Sequence, residues 1–315
     1  MKRIVFFAIF MSLLLCDSYS VLNAENPPGN EEKAARSYYV RCPRFVRPMM
    51  EKWIEEYSAL RPDVKICLAK RCAKSEIDMN VVLRRSNIDG YEVMYFGDYC
   101  ILPVTKKNSF ADKKLSGKTM GRKRLKKLFF TKNEEDYVDE YEREDYRKSP
   151  YVVYSSNDTA SVSGSFATFF DEPLCNLRGK RVSGDDAFLN NAVVNDTLGV
   201  TFNAIPNIFD IKTRRVRDGL SLLRVDTEGL SGYEITNNTT IDEMIDVLEQ
   251  EKTETIPVSR IGITFSQDDE DVKDFLRWII TSGVTYNHHY GFLNLDSQTK
   301  ERQADKVRLL YTTQK

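Results

Sequence analysis

Residues 179–203, GKRVSGDDAFLNNAVVNDTLGVTFN, pack a turn, a helix, a second turn and a strand into one short stretch. Gly184 turns the chain, and Asp185 or Asp186 can cap a helix by accepting its orphan N–H bonds. Phe188, Leu189, Ala192 and Val193 then fall on one helical stripe. Asn195, Asp196 and Thr197 bring turn chemistry, Gly199 resets the backbone, and Val200, Thr201 and Phe202 favour a strand. A helix between glycine turns that delivers a strand is a unit of α/β architecture, so an all-helical or all-strand fold is excluded. No nucleophile stands out in this stretch, which speaks to architecture rather than to chemistry.

The chain has 315 residues, room for two ordinary domains. Its 46 basic residues nearly balance 47 acidic ones, which points away from a nucleic-acid partner and from a disordered acidic tail. The charges are patterned locally. Residues 113–127 are basic and 134–145 acidic, and they read as two solvated faces that partly neutralise each other. Leu125, Leu128 and Phe129 give the basic run a buried side.

The start of the chain reads as an export signal. Lys2 and Arg3 precede an apolar run over 4–15 that is too short to span a bilayer, and Ser18, Ser20 and Ala24 supply small residues for cleavage. Residues 1–24 are therefore expected to be a secretory signal peptide, cut after Ser20 or Ala24. A rival reading takes 13–16 as a lipoprotein box with Cys16 lipidated and anchoring the chain to a membrane, although Leu15 is a poor residue just before such a cysteine. Residues 25–35, with Pro27, Pro28 and Gly29, read as a tether. Beyond Cys16 the cysteines are Cys42, Cys67, Cys72, Cys100 and Cys175, an odd set that cannot all pair internally. They read as small core residues with room for one disulfide, Cys67 and Cys72 being nearest in sequence. Their spacing is not a zinc pattern and only His288 and His289 supply imidazole, so neither metal nor cofactor is expected.

Further along, 38–40 is β-prone and should be the first strand. A helix over 44–60 carries Phe45, Met49, Trp53, Ile54 and Tyr57 on one stripe, and Pro62 stops it. A second strand follows at 64–68. Residues 75–85 suggest a short helix capped by Ser75, and 91–104 is a strongly apolar stretch punctuated by Gly97 and Asp98. Helices are expected over 240–251 and 268–282, with a strand over 258–265 between them.

The pieces that follow Phe202 come in a telling order: DIKTRR at 210–215, GLSLL at 219–223, Ile256-Pro257-Val258, Phe275-Leu276-Arg277-Trp278 and Gly291-Phe292-Leu293. Together with the 179–203 unit, this series resembles the phosphate-type periplasmic substrate-binding proteins, the solute receptors of phosphate ABC importers, in the divergent form found in Bacteroidetes-like bacteria. The likeness runs over about residues 38–295 and rests on order and spacing rather than on any one motif. It implies a bilobed α/β fold of the type II periplasmic-binding-protein kind, with a cleft between two discontinuous lobes. One lobe would be built from 36–102 and 258–315, the other from 103–257. It also implies a small anion, phosphate or another oxyanion, as ligand, an ABC permease as partner, and a location in the periplasm or cell envelope.

In that family one binding loop carries a hydroxyl residue followed by Phe at a helix start. Here the loop is Cys42-Pro43-Arg44-Phe45, with Arg44 in the hydroxyl position and Phe45 kept. A second loop, Ser-Gly-Thr in the family, is matched by Ser163-Gly164-Ser165, whose hydroxyls and amides would hold the oxyanion. The family's Arg and Asp just ahead of it are replaced by Thr159 and Ser161, and its Asp loop after the second strand survives at best as a shortened 86–90. Arg44 would then either restore the lost positive charge from the other lobe or fill the cleft. The plainer readings are a capped helix start for Ser163-Gly164-Ser165 and surface charge for Arg44 and Arg47. Asp158-Thr159-Ala160 and Asp196-Thr197-Leu198 also resemble a bacterial O-glycosylation acceptor pattern. No catalytic set is apparent: no histidine lies where it would reach these serines, and there is neither a P-loop nor a dinucleotide fingerprint. The sequence therefore points to an exported solute-binding protein and not to an enzyme. The alternative is the same fold serving as an envelope interaction module with a degenerate pocket.

Overall fold

The computed structural model describes residues 36–69, 77–83, 91–131, 149–227, 233–250 and 253–308. The expected signal peptide, Cys16, the tether, Cys72, the 86–90 remnant and the acidic run at 134–145 lie outside the described residues.

In chain order the strands and helices are β1 (Ser37–Arg41), α1 (Arg47–Leu60), β2 (Lys65–Leu68), β3 (Met79–Val82) and β4 (Glu92–Lys106). Next come α2 (Phe110–Leu115), α3 (Arg122–Phe129), β5 (Val152–Ser155), α4 (Val162–Phe169) and β6 (Lys180–Arg181). Then follow α5 (Ala187–Val194), β7 (Gly199–Ala204), α6 (Ile205–Ile208), β8 (Leu220–Leu222), β9 (Val225–Asp226) and β10 (Glu234–Ile235). The described chain closes with α7 (Ile241–Gln250), β11 (Val258–Phe265), α8 (Glu270–Thr281) and α9 (Ser297–Lys306).

The expected first strand, helix and second strand are all present. In β1, Tyr38 and Val40 are buried and Tyr39 faces out, the period of a half-covered strand. In α1, Met49, Met50, Trp53 and Tyr57 are buried, and each such side chain gains roughly 1.5–3 kcal/mol by leaving water. Trp53 also donates its indole N–H to Gly283 O at 2.8 Å, so its burial leaves no polar group unpaired. Pro48 sits in the first turn, where a missing N–H costs nothing, and the Arg61 N–H closes the last turn on Tyr57 O.

Around 75–85 the structure departs from expectation. Residues 79–82 form β3, not a helix. Met79 and Val81 are buried while Asn80 and Val82 are half-buried. β3 is parallel to β1 and antiparallel to β11, so both of its edges are paired. Tertiary pairing on both sides outweighs a weak local helix signal. The stretch at 91–104 is one continuous strand, β4, and it is punctuated next to Gly97: consecutive Ile261 and Gly262 of β11 face Gly97 and Tyr95, so Phe96 is the extra residue of a bulge in β4. Glycine at 97 has a packing reason, since a β-carbon there would lie 2.7 Å from Leu293 O on the chain bridging to Asp98.

The sheet path runs β2-β1-β3-β11-β4-β7-β5-β6, with β8 also on β4. β4 serves both ends of it. Its residues Glu92 to Cys100 pair with β11, whereas Ile101 to Thr105 pair with β7 and Val104 to Lys106 with β8. The two ends share a plan. In one, β1 lies between β2 and β3, and β11 runs antiparallel beside β3. In the other, β5 lies between β6 and β7, and β4 runs antiparallel beside β7. The helix after each central strand, α1 and α4, therefore begins in an equivalent place, and this equivalence positions the candidate site.

The 179–203 unit folds as read, as α5 followed by β7. Leu189 and Val193 of its stripe are buried, but Phe188 is exposed. Further on, α7 starts with Thr240 and Glu243 capping each other's N–H groups, at 3.2 and 2.7 Å. Asp269 caps α8 through the Val272 N–H. Among the described residues no helix is long and apolar enough to cross a membrane.

Candidate functional site

The loop between β5 and α4 is built by short polar side chains bonding to nearby backbone. Asp158 accepts from the Ala160 N–H at 2.8 Å, and Ser161 donates its hydroxyl to Asp158 O at 2.6 Å. Ser161 is the N-cap of α4: its hydroxyl oxygen accepts from the N–H groups of Ser163 and Gly164. A β-carbon at 164 would lie 2.1 Å from Thr159 O, so only glycine lets the helix start press against this loop. Thr159 itself is exposed.

The hydroxyls of Ser163 and Ser165 are buried and engaged within the protein. Ser163 Oγ accepts from the Ser156 N–H at 2.8 Å. Ser165 Oγ accepts from the Tyr99 hydroxyl at 2.6 Å and donates to Leu83 O at 3.3 Å. Leu83 follows β3 and Tyr99 lies on β4, so Ser165 fastens α4 to the opposite end of the sheet path.

Asp186 occupies a position that sequence reasoning did not assign to the site. Of the two acidic residues read as possible caps of α5, Asp185 takes the role, accepting from the Ala187 N–H at 2.9 Å. Asp186 turns instead to α4, where its Oδ2 accepts from the Val162 N–H at 3.1 Å. The residue is only 8% exposed, and its Oδ1 is buried with no hydrogen-bond partner among the described residues. Burial pushes its carboxyl up to about 7; the Val162 N–H opposes that rise, and the Asp185 and Asp158 charges add to it. Asn203 holds the turn in place by donating to Asp186 O at 2.7 Å, while its own oxygen accepts from Asn207 at 2.8 Å. The sequence carried one signal for this arrangement, two consecutive acidic residues where one cap suffices.

Arg44 and Phe45 stand on the other wall. Phe45 is buried, stacked on Phe292 with ring centroids 6.1 Å apart and tilted on Tyr99 at 5.9 Å. Arg44 is exposed: its Nε lies 4.0 Å from Asp185 Oδ2 and its guanidinium 5.7 Å above the Phe188 ring, which gives that ring its cover outside the core. Arg47, read as possible surface charge, is half-buried, with its Nε lacking a partner among the described residues. Beside it, burial pushes the Cys42 thiol up to about 12, so this cysteine is an inert packing group. The structure thus brings Phe45 to Ser165 through Tyr99, but the named contacts of Arg44 are with Asp185 and Phe188, not with the serines. Beside Arg44 and Phe45 lies a groove of about 470 Å³ that they line together with Asn190, Asn207, Arg217 and Asp218 among others; Ser161, Ser163, Gly164, Ser165 and Asp186 are not part of its lining. Arg217, missed in the sequence, donates to Pro206 O at 3.2 Å at one edge of it.

No family model matches the chain, and no curated protein does. Its fold is found among solved structures. One is a provisionally named phosphate ABC transporter substrate-binding protein from Clostridium perfringens, solved with bound phosphate. It is 14% identical, covers 83% of this chain and 100% of its own, and has a TM-score of 0.57. Another, an ABC-type phosphate transport receptor from Vibrio cholerae, is 12% identical, covers 82% of this chain and 100% of its own, and has a TM-score of 0.53. Identity this low speaks to fold. The chain has the mixed α/β, two-lobed type II fold of periplasmic binding proteins, with a cleft between discontinuous lobes. The resemblance read from the order of the sequence segments holds at that level.

Proposed function

We propose that the chain is an exported solute-binding protein that captures a small anion, phosphate or another oxyanion, between its lobes and delivers it to an ABC permease in the cell envelope. The lobes are 36–102 with 258–315, and 103–257, and the chain crosses between them along β4 and again at the start of β11. The observation that carries this reading is a groove lined by Arg44, beyond β1, by Arg217, and by Asn190 and Asn207, whose amides also donate within the protein to Asn207 O and Asn203 Oδ1. Planar guanidinium forks and amide N–H groups are the donors an oxyanion needs. Arg44 is 63% exposed and its carboxylate neighbour is no nearer than 4.0 Å, so the side chain is available to a solute. Ser161, Ser163, Gly164 and Ser165 do not line this groove; in this reading the hydroxyls of Ser163 and Ser165 come to serve the solute only by exchanging their present bonds as the lobes close. The phosphate-transport descriptions of the two structural neighbours support the choice of ligand class.

A thermal-shift screen over phosphate, sulfate and other small anions tests the reading. A ligand at about 100 times its dissociation constant should add roughly 2.7 kcal/mol of stability. Arg44→Ala should remove that gain without lowering the stability of the ligand-free protein. The absence of any stabilising anion at millimolar concentration would defeat the proposal. One observation favours a second reading, an envelope interaction module with a degenerate pocket: the first-turn amides of α4 are already bonded within the chain. A flat screen across all small solutes would select it.

A further inference from the structure

The helices α2 and α3 and the turn between them carry cations that the protein does not neutralise. Lys113, Lys114, Lys118, Lys123 and Arg124 are exposed, and none has a carboxylate partner among the described residues. Arg124 donates only to a carbonyl, Thr119 O at 2.7 Å. The carboxylates nearby are taken: Asp112 accepts from the Asn108 N–H and from the Ser221 hydroxyl, each at 2.8 Å, while Glu172 holds Lys126 and Glu234 holds Arg224, each at 2.7 Å. Beside them is a groove of about 380 Å³ with Lys118, Arg124, Lys127 and Arg178 in its lining, and no carboxylate among the described residues that line it. The buried Leu115 and Leu128 supply apolar lining. Phe110 adds a large apolar ring in the open. It shares the outer face of α2 with Lys113 and Lys114, and Lys114 Nζ lies 5.7 Å from the ring centre.

We propose that the α2–α3 face docks on an anionic lipid surface, with Phe110 entering the headgroup region and the groove beside Arg124 seating a lipid phosphate. Guanidinium and ammonium groups bind the oxygens of a phosphodiester, and the apolar lining accepts the glycerol carbons next to it. An acidic protein partner would account for the cations alone. It would not account for an exposed ring set among lysines, which is the composition of a segment at the boundary of water and lipid. Attraction of this kind acts through several cations at once and weakens as salt is raised. Neither α2 nor α3 lines the groove of Arg44 and Arg217, so the inference stands apart from anion capture.

Co-sedimentation of the chain recovered after export with vesicles of phosphatidylglycerol and phosphatidylcholine in equal parts tests this. The wild type should bind these vesicles, should not bind vesicles of phosphatidylcholine alone, and should be released as salt is raised. Lys118→Ala with Arg124→Ala should weaken binding roughly thirtyfold, about fivefold for each cation taken from a charged surface. Lys65→Ala with Lys212→Ala removes two exposed cations on other elements and should stay within about twofold of wild type. Phe110→Ser should weaken binding about tenfold and leave its salt dependence unchanged. All these side chains are exposed, so each variant should fold. Equal binding to both kinds of vesicle, or equal loss in the two double variants, would overturn the proposal. So would release by millimolar glycerol phosphate, which would make the occupant a soluble phosphate ester. Binding gained only when the acids of 134–145 are replaced by serine would overturn it too, since the occupant would then be the chain's own acidic run. Arg44→Ala should bind vesicles as the wild type does, so failure of anion capture leaves this result standing, and failure here leaves anion capture standing.

Discussion

A carboxyl held protonated up to about pH 7 makes folding stability depend on pH in the sense opposite to most acidic side chains. In the unfolded chain Asp186 ionises near its ordinary 3.8, whereas in the folded chain burial raises it to about 7. Its folded pKa is raised, so its favourable contribution is complete below the unfolded value. That contribution drains away as pH climbs toward the folded value. Asparagine in its place cannot ionise. The stability of Asp186→Asn relative to wild type should therefore rise by about 1.4 kcal/mol per pH unit between roughly pH 4 and 7, then level off. Urea unfolding of the two proteins at matched pH values measures this directly. A difference independent of pH would mean that Asp186 is not the buried acid described here. The same residue marks the limit of local sequence reading. Arg44 and Phe45, in the loop before α1, and Ser163, Gly164 and Ser165, in the first turn of α4, were legible as candidates because a helix start is a pattern visible within a few residues. The role of Asp186 comes from a contact 24 residues away, which no local pattern encodes.

Among the elements, those with strong periodicity were readable and those decided by their neighbours were not. α1 buries Met49, Trp53 and Tyr57 of the stripe read for it and leaves Ile54 half-buried, while α7 and α8 lie where helices were expected, opened by the Thr240 and Glu243 pair and by Asp269. β3 was misread because its four residues carry little signal of their own, and β1 and β11 on either side make it a strand. Phe188 matched the stripe of α5 yet lies outside it, because Arg44 covers its ring. α4 makes the sharpest demand on a single residue. Gly164 packs its α-carbon against the carbonyl of Thr159, and an added β-carbon would meet backbone at 2.1 Å. Since backbone cannot swing aside like a side chain, Gly164→Ala should destabilise the fold by roughly 2–4 kcal/mol, shifting the midpoint of chemical denaturation downward. A midpoint within error of wild type would show that the loop over 157–161 yields freely, and that Ser161 does not hold it against the helix.

At the scale of the whole described chain, the fold turns on β4, one strand shared by two arrangements of the sheet. Where β4 leaves β11, the Ile101 N–H still reaches Pro257 O at 2.9 Å, so the two proposed crossings lie side by side. Further contacts join the proposed lobes: Arg214 donates to His289 O at 2.7 Å, and Glu249 lies 2.8 Å from His288 Nε2. In the proposed reading these adjacent crossings serve as the hinge about which the groove lined by Arg44 and Arg217 closes on a solute. Alternation of strands and helices and the order of the segments were enough to read this architecture from the sequence. The arginine on the far wall was not, because Arg217 reaches the groove through the path of the 206–220 segment rather than through any motif. Small-angle scattering of the wild-type protein, with and without a saturating anion chosen from the stabilising ones, tests the central claim most directly. The account predicts a smaller radius of gyration with the anion and no change for Arg44→Ala under the same conditions. An anion that stabilises the protein but leaves its dimensions unchanged would contradict capture between closing lobes.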